Sequence, residues 1–308
     1  MRDQRARLSD LALLVRAPAA LSVPGDVLAG AAAAGNPLTV RTFGVMGSSV
    51  CLYWAGMALN DYADATVDAV ERPERPVPSG RVPRRTALAV AGGLTAAGLG
   101  LAAVAGGRRG LLGAVPLTGL VWAYDLGLKD TPAGAAAMAG ARGLDVLTGA
   151  LAATHGQPVG RALRRGAGPA ALVGAHTYTL MTLSRHEIHG ARARVPAATL
   201  AATTATALAT AAPALRQFTR SIPRRSTPTT LATAGAALAY LGAYGSAQFK
   251  AVRKPSGEYL RRAVGAGILS LMPLQAALTA RAGAPVAATV LGVAHPLARR
   301  LARRISPT

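Results

Sequence analysis

Nearly charge-free apolar runs recur along this chain at the length needed to cross a bilayer. They fall at 18–35, 40–60, 85–106, 110–127, 132–153, 168–188, 196–213, 229–249 and 259–280, with a shorter run at 285–298. A hydrocarbon core about 30 Å thick takes about 20 helical residues. Backbone in lipid must satisfy its own hydrogen bonds, which leaves helices for segments of this kind. No strand alternation interrupts them. The sequence therefore predicts an all-α fold, a polytopic membrane helical bundle of about nine transmembrane helices, with residues 1–308 as one integral-membrane domain. The run 285–298 is open to three readings: a tenth short C-terminal span, an interfacial helix, or the continuation of a kinked ninth. Charged residues make up 15% of the chain, against about 25% in soluble domains.

The charge that is present is lopsided, with 34 basic and 13 acidic residues and a net charge of +21. Such a balance often marks nucleic-acid binding. Here the basic residues are spread over loops between apolar runs, where they set topology and meet anionic lipid; no nucleic-acid partner is expected. With the N-terminus in the cytoplasm and nine spans, 18 basic residues lie inside, Arg72, Arg75, Arg81, Lys129, Arg185 and Arg192 among them, and 11 outside, among them Arg41, Arg108, Arg161 and Arg281. That bias fits a multi-pass protein of the plasma membrane. Cys51 is the only cysteine, so an internal disulfide is excluded. The Arg-rich start, Met1 to Arg7, precedes an apolar segment, but the later spans speak for a multispan protein rather than a cleaved secretory one.

The chemistry concentrates at Asn60-Asp61-Tyr62-Ala63-Asp64-Ala65-Thr66-Val67-Asp68, followed by Glu71-Arg72-Pro73-Glu74-Arg75-Pro76-Val77-Pro78-Ser79-Gly80-Arg81. If the helix over 42–59 continues, Asn60, Asp64 and Asp68 share one face, and Asp61 leans toward them from about 100° around. Clustered carboxylates repel one another unless a cation sits among them. Their oxygens suit Mg²⁺, which completes its shell with water and substrate phosphate. Arg72, Arg75 and Arg81 would hold outer phosphate oxygens. The physical reading is a Mg²⁺–pyrophosphate site at a membrane surface; the plainer one is a solvated, charged helix end.

These residues, N-D-x-x-D-x-x-x-D and R-P-x-R-P-x-x-S-G, resemble the first motif of the UbiA superfamily of intramembrane prenyltransferases. The resemblance implies that Asp61, Asp64 and Asp68 hold Mg²⁺ on the diphosphate of a polyprenyl donor, with Asn60 ordering that shell. The family's second Asp-rich motif falls at Ser184-Arg185-His186-Glu187-Ile188-His189-Gly190. Here Glu187 is its one acid, left to support a second cation with an imidazole, although imidazole prefers softer metals than Mg²⁺. Alternatively, His186 or His189 donates to a phosphate, or the stretch is an ordinary helix end. The Ser-Arg-x-Glu form is similar to the EboC-type branch. Trp122 to Thr131 resembles the family's Tyr-x-x-x-Lys stretch, with Tyr124 and Lys129 as candidates for the diphosphate. The other reading of Trp122 and Tyr124 is an interfacial belt.

Within the spans, Arg142 and Asp145 are spaced to pair on one helix face, either as a structural ion pair or, as the resemblance implies for Arg142, near the acceptor side of a cavity. Asp26 would face the same cavity. His155 and His176 read as interfacial or packed. The expectation is a Mg²⁺-dependent prenyltransferase moving a prenyl group from a prenyl diphosphate to an aromatic or other small acceptor within membrane lipid, with its motifs facing the cytoplasm. The alternative is a non-catalytic protein of an EboC-like biosynthetic cluster that binds or transports an isoprenoid or lipid precursor.

Overall fold

A computed structural model describes residues 8–36, 38–154, 157–220 and 228–305. The Arg-rich start, His155, Arg224 and Arg225 lie outside the described residues. Among these, all regular structure is helical, in agreement with the apolar runs. The helices are α1 (Leu8–Leu14), α2 (Pro24–Ala33), α3 (Val40–Ala63), α4 (Ala65–Glu71), α5 (Arg84–Ala123), α6 (Gly134–Ala153), α7 (Val159–Ser184), α8 (Arg194–Arg220), α9 (Pro228–Tyr240), α10 (Ser246–Arg253), α11 (Gly257–Arg281) and α12 (Pro285–Ile305). A 3₁₀ turn, Ala17–Ser22, precedes α2, and single π-helical turns close α5 at Tyr124–Leu128 and join α9 to α10 at Leu241–Gly245.

Each expected span is occupied by helix. The two runs 85–106 and 110–127 are the two arms of α5. Gly107 breaks that helix at φ 59°, ψ −149°, a conformation glycine adopts without a Cβ penalty. The 285–298 run forms its own helix, α12, after the turn at Gly283. Among the described residues, four helical stretches are long and apolar enough to cross a membrane by length and composition: Val40–Ala63, Arg84–Leu128, Arg194–Arg216 and Gly257–Arg281. The α7 helix begins at 159, ahead of its apolar run, and its first turns carry Arg161, Arg164 and Arg165.

Small residues let the helices close on one another without lipid between them. Where α2 crosses α6, a Cβ on Gly30 would lie 1.8 Å from the Val146 carbonyl oxygen, and one on Gly149 would lie 2.2 Å from that of Val27. The α3 helix packs along α5, and Ser48 Oγ donates to the Gly98 carbonyl at 2.6 Å. Of those four stretches α11 is the most enclosed, with a continuous buried run from Ser270 to Ala280. Three threonines inside α8 return their hydroxyls to their own helix: Thr204, Thr206 and Thr210 each donate to the carbonyl four residues back. That removes a donor which would otherwise be costly in an apolar surrounding.

The fold brings three chain segments to one end of the bundle. They are the end of α3 with α4 and the loop to α5, the π-turn after α5, and the loop after α7. Arg185 donates to the Thr131 carbonyl, tying the third segment to the second.

Candidate active site

The acidic stretch does not continue as a straight helix. The α3 helix ends at Ala63, Asp64 sits at φ −86°, ψ 5°, and α4 starts anew at Ala65. Asn60 and Asp64 meet across one turn, as their spacing predicts, while Asp68, beyond the kink, takes another partner. Asp61 and Asp68 are joined through Arg75, whose Nη1 lies 2.5 Å from Asp68 Oδ2 and 3.7 Å from Asp61 Oδ1. Asp61 also receives Arg16 Nη2 at 3.1 Å. Asp64 pairs with Lys129. Asn60 Nδ2 donates to Asp64 at 3.0 Å and reaches Asp125 at 3.4 Å. Asp61, Asp68 and Asp125 are buried.

Opposite charges thus offset the mutual repulsion of the acids. Among the described residues, no three His, Cys, Asp or Glu side chains are gathered as one metal-holding group, so Asp61, Asp64, Asp68 and Glu187 are not assembled into a single cage. The donors are nonetheless hard carboxylate and amide oxygens. That set fits a Mg²⁺ ion taking one or two carboxylates and filling its shell with water and phosphate.

Two members of this network were not singled out by the sequence. Arg16 stands at φ 47°, ψ 51°, bonded to Asp61, to Asn60 Oδ1 at 3.5 Å and to Met57 Sδ at 3.3 Å. Asp125 stands four residues before Lys129, but Lys129 turns to Asp64, and Asn60 bonds Asp125. The cause is the π-turn. Lys129 N donates to the Tyr124 carbonyl five residues back, at 3.0 Å, and that wider turn absorbs the extra residue by which Tyr124 and Lys129 exceed the Tyr-x-x-x-Lys spacing. Trp122 Nε1 donates to Thr95 at 3.1 Å, so its ring is tied between the arms of α5.

The stretch after α7 approaches this network through charge. Burial raises the Glu187 carboxyl above the usual glutamate range, and the nearby Arg261 and Arg72 guanidinium groups pull it back down. Arg72, from the acidic stretch, and Glu187 are thus within electrostatic reach of one another. His186 is half-buried beside Glu187, and His189 is exposed. Arg81 turns away from the group. It pairs with Asp10 at 3.0 Å and donates to the Glu74 carbonyl at 2.6 Å, which corrects its expected place beside Arg72 and Arg75.

Deeper in the bundle, Arg142 Nε lies 2.8 Å from Asp26 Oδ2 and does not form the expected pair with Asp145, which accepts from Ser49 Oγ. Gln275 Nε2 donates to Asp26 Oδ1 at 2.7 Å and to the Ser22 carbonyl at 2.8 Å. His176 is a packed histidine, as its sequence context suggested. It is buried, with Nδ1 3.1 Å from the Tyr240 hydroxyl.

Comparison with known proteins bears on the fold and the family. Digeranylgeranylglyceryl phosphate synthase of Methanopyrus kandleri is 47% identical over 88 residues, 29% of this chain and 31% of that protein. The enzyme of the same name from Ignicoccus hospitalis is 37% identical over 118 residues, 38% of each chain. The matched segments therefore span about a third of those relatives. Two solved structures share the fold. One, of digeranylgeranylglyceryl phosphate synthase in membranes, has a TM-score of 0.60 at 15% identity, covering 89% of this chain and 98% of the other. The apo structure of a UbiA homolog from Aeropyrum pernix K1 has a TM-score of 0.63 at 20% identity, covering 89% and 96%. The model of the UbiA prenyltransferase family matches residues 23–304. With the acid–base network at the end of a helical bundle and a family match over most of its length, this chain belongs to the UbiA prenyltransferase family.

Proposed function

We propose that the protein is an intramembrane prenyltransferase that takes a prenyl diphosphate as donor and depends on Mg²⁺. The observation that carries the reading is the joining of Asp61 and Asp68 through Arg75, and of Asp64 to Lys129, at the end of the bundle that also receives Glu187. Asp64 and Asp68 would hold the metal, with Asp61 and Glu187 completing the acidic surround and Asn60 orienting Asp64. Bound Mg²⁺ would supply charge neutralisation for the diphosphate. Lys129, Arg75 and Arg72 are cations already fixed or drawn to the acids, where preorganised charge lowers the barrier most. Tyr124 and His186 would contact the diphosphate from the π-turn and the loop after α7.

The bond that breaks is the donor's allylic carbon–oxygen bond, and its electron pair leaves with the diphosphate. The new bond forms from the acceptor's nucleophilic atom, which gives up its proton. Aromatic faces stabilise a carbocation, and Tyr53, Trp54 and Tyr62 lie on α3 in the turns leading to the acids. The relatives' name concerns a glyceryl phosphate bearing two prenyl chains, and a small lipid-soluble alcohol is an acceptor of that kind; an aromatic acceptor is the other. Arg142, held by Asp26, would line the acceptor side. We place the site on the cytoplasmic face of the plasma membrane, on the strength of the basic loops around it.

The test is release of pyrophosphate from prenyl diphosphates by the purified protein in nanodiscs, with Mg²⁺ and with EDTA. Mg²⁺-dependent release that Asp64→Asn abolishes supports the reading. The lone acid of the Ser184–Gly190 stretch favours a second one, binding or transport of an isoprenoid precursor. Donor binding without release, across prenyl lengths and acceptors, would select it.

A further inference from the structure

We propose that the acceptor this chain prenylates is electrically neutral, a hydroxyl compound without a carboxylate or phosphate of its own, because the guanidinium that would receive an anion is already matched by acid within the fold. The inference rests on the prenyl-transfer reading of the Asn60–Asp68 network and narrows its acceptor. At 1.5 Å per residue, Arg142 lies about 12 Å along α6 from Gly134, away from the end of the bundle where Lys129 meets Asp64. Tyr53, on α3, stands within electrostatic reach of both Arg142 and Arg16. Arg16 in turn touches Met57 and Asn60, further along the same helix. The group around Arg142 thus adjoins the donor network from within the spans.

Its charges are fixed by four helices. Arg142 Nε lies 2.8 Å from Asp26 Oδ2, and its Nη2 reaches the Ser22 carbonyl at 3.5 Å. Asp26 is fully buried, and its other oxygen takes Gln275 Nε2 at 2.7 Å. Gln275 comes from α11 and is itself fully buried. A Cβ on Gly25 would lie 2.1 Å from its Oε1, so α2 admits this amide by presenting glycine. Asp145, 4% exposed, accepts from Ser49 Oγ on α3 and feels the charges of both Asp26 and Arg142. Among the described residues, Asp145 forms no ion pair. Two carboxyl groups therefore share one guanidinium. With Asp145 ionised the group is negative, and with Asp145 protonated it is neutral; in neither state is positive charge left over.

An anionic acceptor brought to Arg142 would compete with Asp26. Winning would strand a fully buried carboxylate, and losing would add negative charge to a group that has one positive charge. Both are strongly unfavourable in a low-dielectric interior. A neutral hydroxyl meets neither obstacle. Asp145 accepts its O–H, and an N–H of Arg142 not spent on Asp26 donates to its oxygen. Arg142 has 14% of its side chain exposed, so those N–H groups are not sealed off. Selection against anions is here a repulsive element, independent of the shape of the acceptor.

The experiment uses the full chain in nanodiscs with Mg²⁺ and geranylgeranyl diphosphate as donor. Each neutral acceptor is offered beside its anionic counterpart: a long-chain glycerol monoether with its phosphate, and 4-hydroxybenzyl alcohol with 4-hydroxybenzoate. Prenylated product and pyrophosphate are measured, and retention of each acceptor without donor is read by native mass spectrometry. The parent should favour the neutral member of each pair by roughly a hundredfold in kcat/KM. Asp26→Asn leaves Arg142 its charge but removes the acid that matches it, and should lower that ratio by about tenfold. A merely structural role for Asp26 would slow both members alike and leave the ratio where it was, which would overturn the proposal. Equal or better use of the anionic members by the parent would overturn it too. If Asp26→Asn does not fold, the parent's ratio decides together with that of Asp145→Asn, which should fall by about threefold. No pyrophosphate release with any pair would sink the prenyl-transfer reading instead. Retention then decides this one: preference for the neutral members upholds it, and equal or preferential retention of the anionic members overturns it.

Discussion

Arg75 is the residue whose removal reads the site most directly. It neutralises Asp68 at 2.5 Å and Asp61 at 3.7 Å, with 18% of its side chain exposed against 5% and 3% for the two acids. Arg75→Gln leaves the acids unequal. Asp61 keeps Arg16 at 3.1 Å, whereas Asp68 loses its ion pair. Stripping one partner from a buried pair costs about 3–5 kcal/mol, and the lower figure suits an arginine that still reaches solvent. In a chain of this size 1 kcal/mol moves Tm by roughly 2–3 °C, so Arg75→Gln should lower it by roughly 6–9 °C. Asp68→Asn alone leaves Arg75 with Asp61 and should cost about 1 kcal/mol, the worth of one hydrogen bond. The double variant should then be milder than Arg75→Gln alone, at about 2 kcal/mol, because the orphaned carboxylate is gone. A coupling of about 2 kcal/mol follows for the pair. The assay is tryptophan-monitored unfolding of all four proteins in one detergent at one scan rate, since membrane proteins commonly unfold irreversibly. A shift below about 2 °C for Arg75→Gln, or strict additivity of the two substitutions, would refute the claim that Arg75 binds the two acids into one unit.

Four further outcomes follow from the same geometry. Asp64→Asn and Asp68→Asn should each weaken donor binding by more than tenfold, about 1.4 kcal/mol, measured by competition with a labelled prenyl diphosphate. Glu187→Gln keeps shape but not charge, so donor binding should persist while turnover falls; side-by-side binding and pyrophosphate release check it. The raised Glu187 carboxyl takes up its proton at a higher pH in the folded chain than in the unfolded one. It therefore contributes stability at low pH that is lost as pH rises above about 4.5 through the raised value; Glu187→Gln should remove that part of the pH dependence of Tm. Cysteines placed at Ser79 and Ala191 in a Cys51-free background should be equally protected from an impermeant outside reagent, and labelling of one alone would separate the two stretches across the membrane.

Much of the architecture was legible because lipid imposes it. Apolar runs of membrane length can only be helices, and each of the runs is helix; even the break between 85–106 and 110–127 is present, as Gly107. What the sequence did not show was where helices bend. Helical spacing put Asn60 beside Asp64, where the fold has it, but it showed neither the kink at Asp64 nor that Arg75 and Lys129 divide the acids between them. A five-residue interval reads as an imperfect match for Tyr124 and Lys129 until the π-turn supplies the missing register. Arg142 illustrates a second limit. Spacing along one helix offered Asp145 as its partner, whereas the fold delivered Asp26 from α2, and no periodicity reports which helices will cross.

Arg16 and Asp125 show why the site was larger than its motif. Arg16 precedes α2 in a left-handed conformation that no capping or turn pattern in Arg16-Ala17-Pro18 announces, and it reaches Asp61 across an interval of 45 residues. Asp125 stands 65 residues from Asn60. Both were visible in the sequence as charges at the ends of apolar runs, which is where charged residues ordinarily mark a membrane boundary. Their extra meaning lies in burial: Asp125 is 4% exposed, and a boundary marker would face water. A buried acid beside Asn60 fixes which way that amide points, so that its Nδ2 faces Asp64 and Asp125 while its Oδ1 faces Arg16. The orientation of Asn60, and with it the carboxylate it holds at Asp64, is thus set by two residues distant in the chain, and the acidic motif is one side of a network whose other side comes from the link between α1 and the 3₁₀ turn and from the π-turn that closes α5.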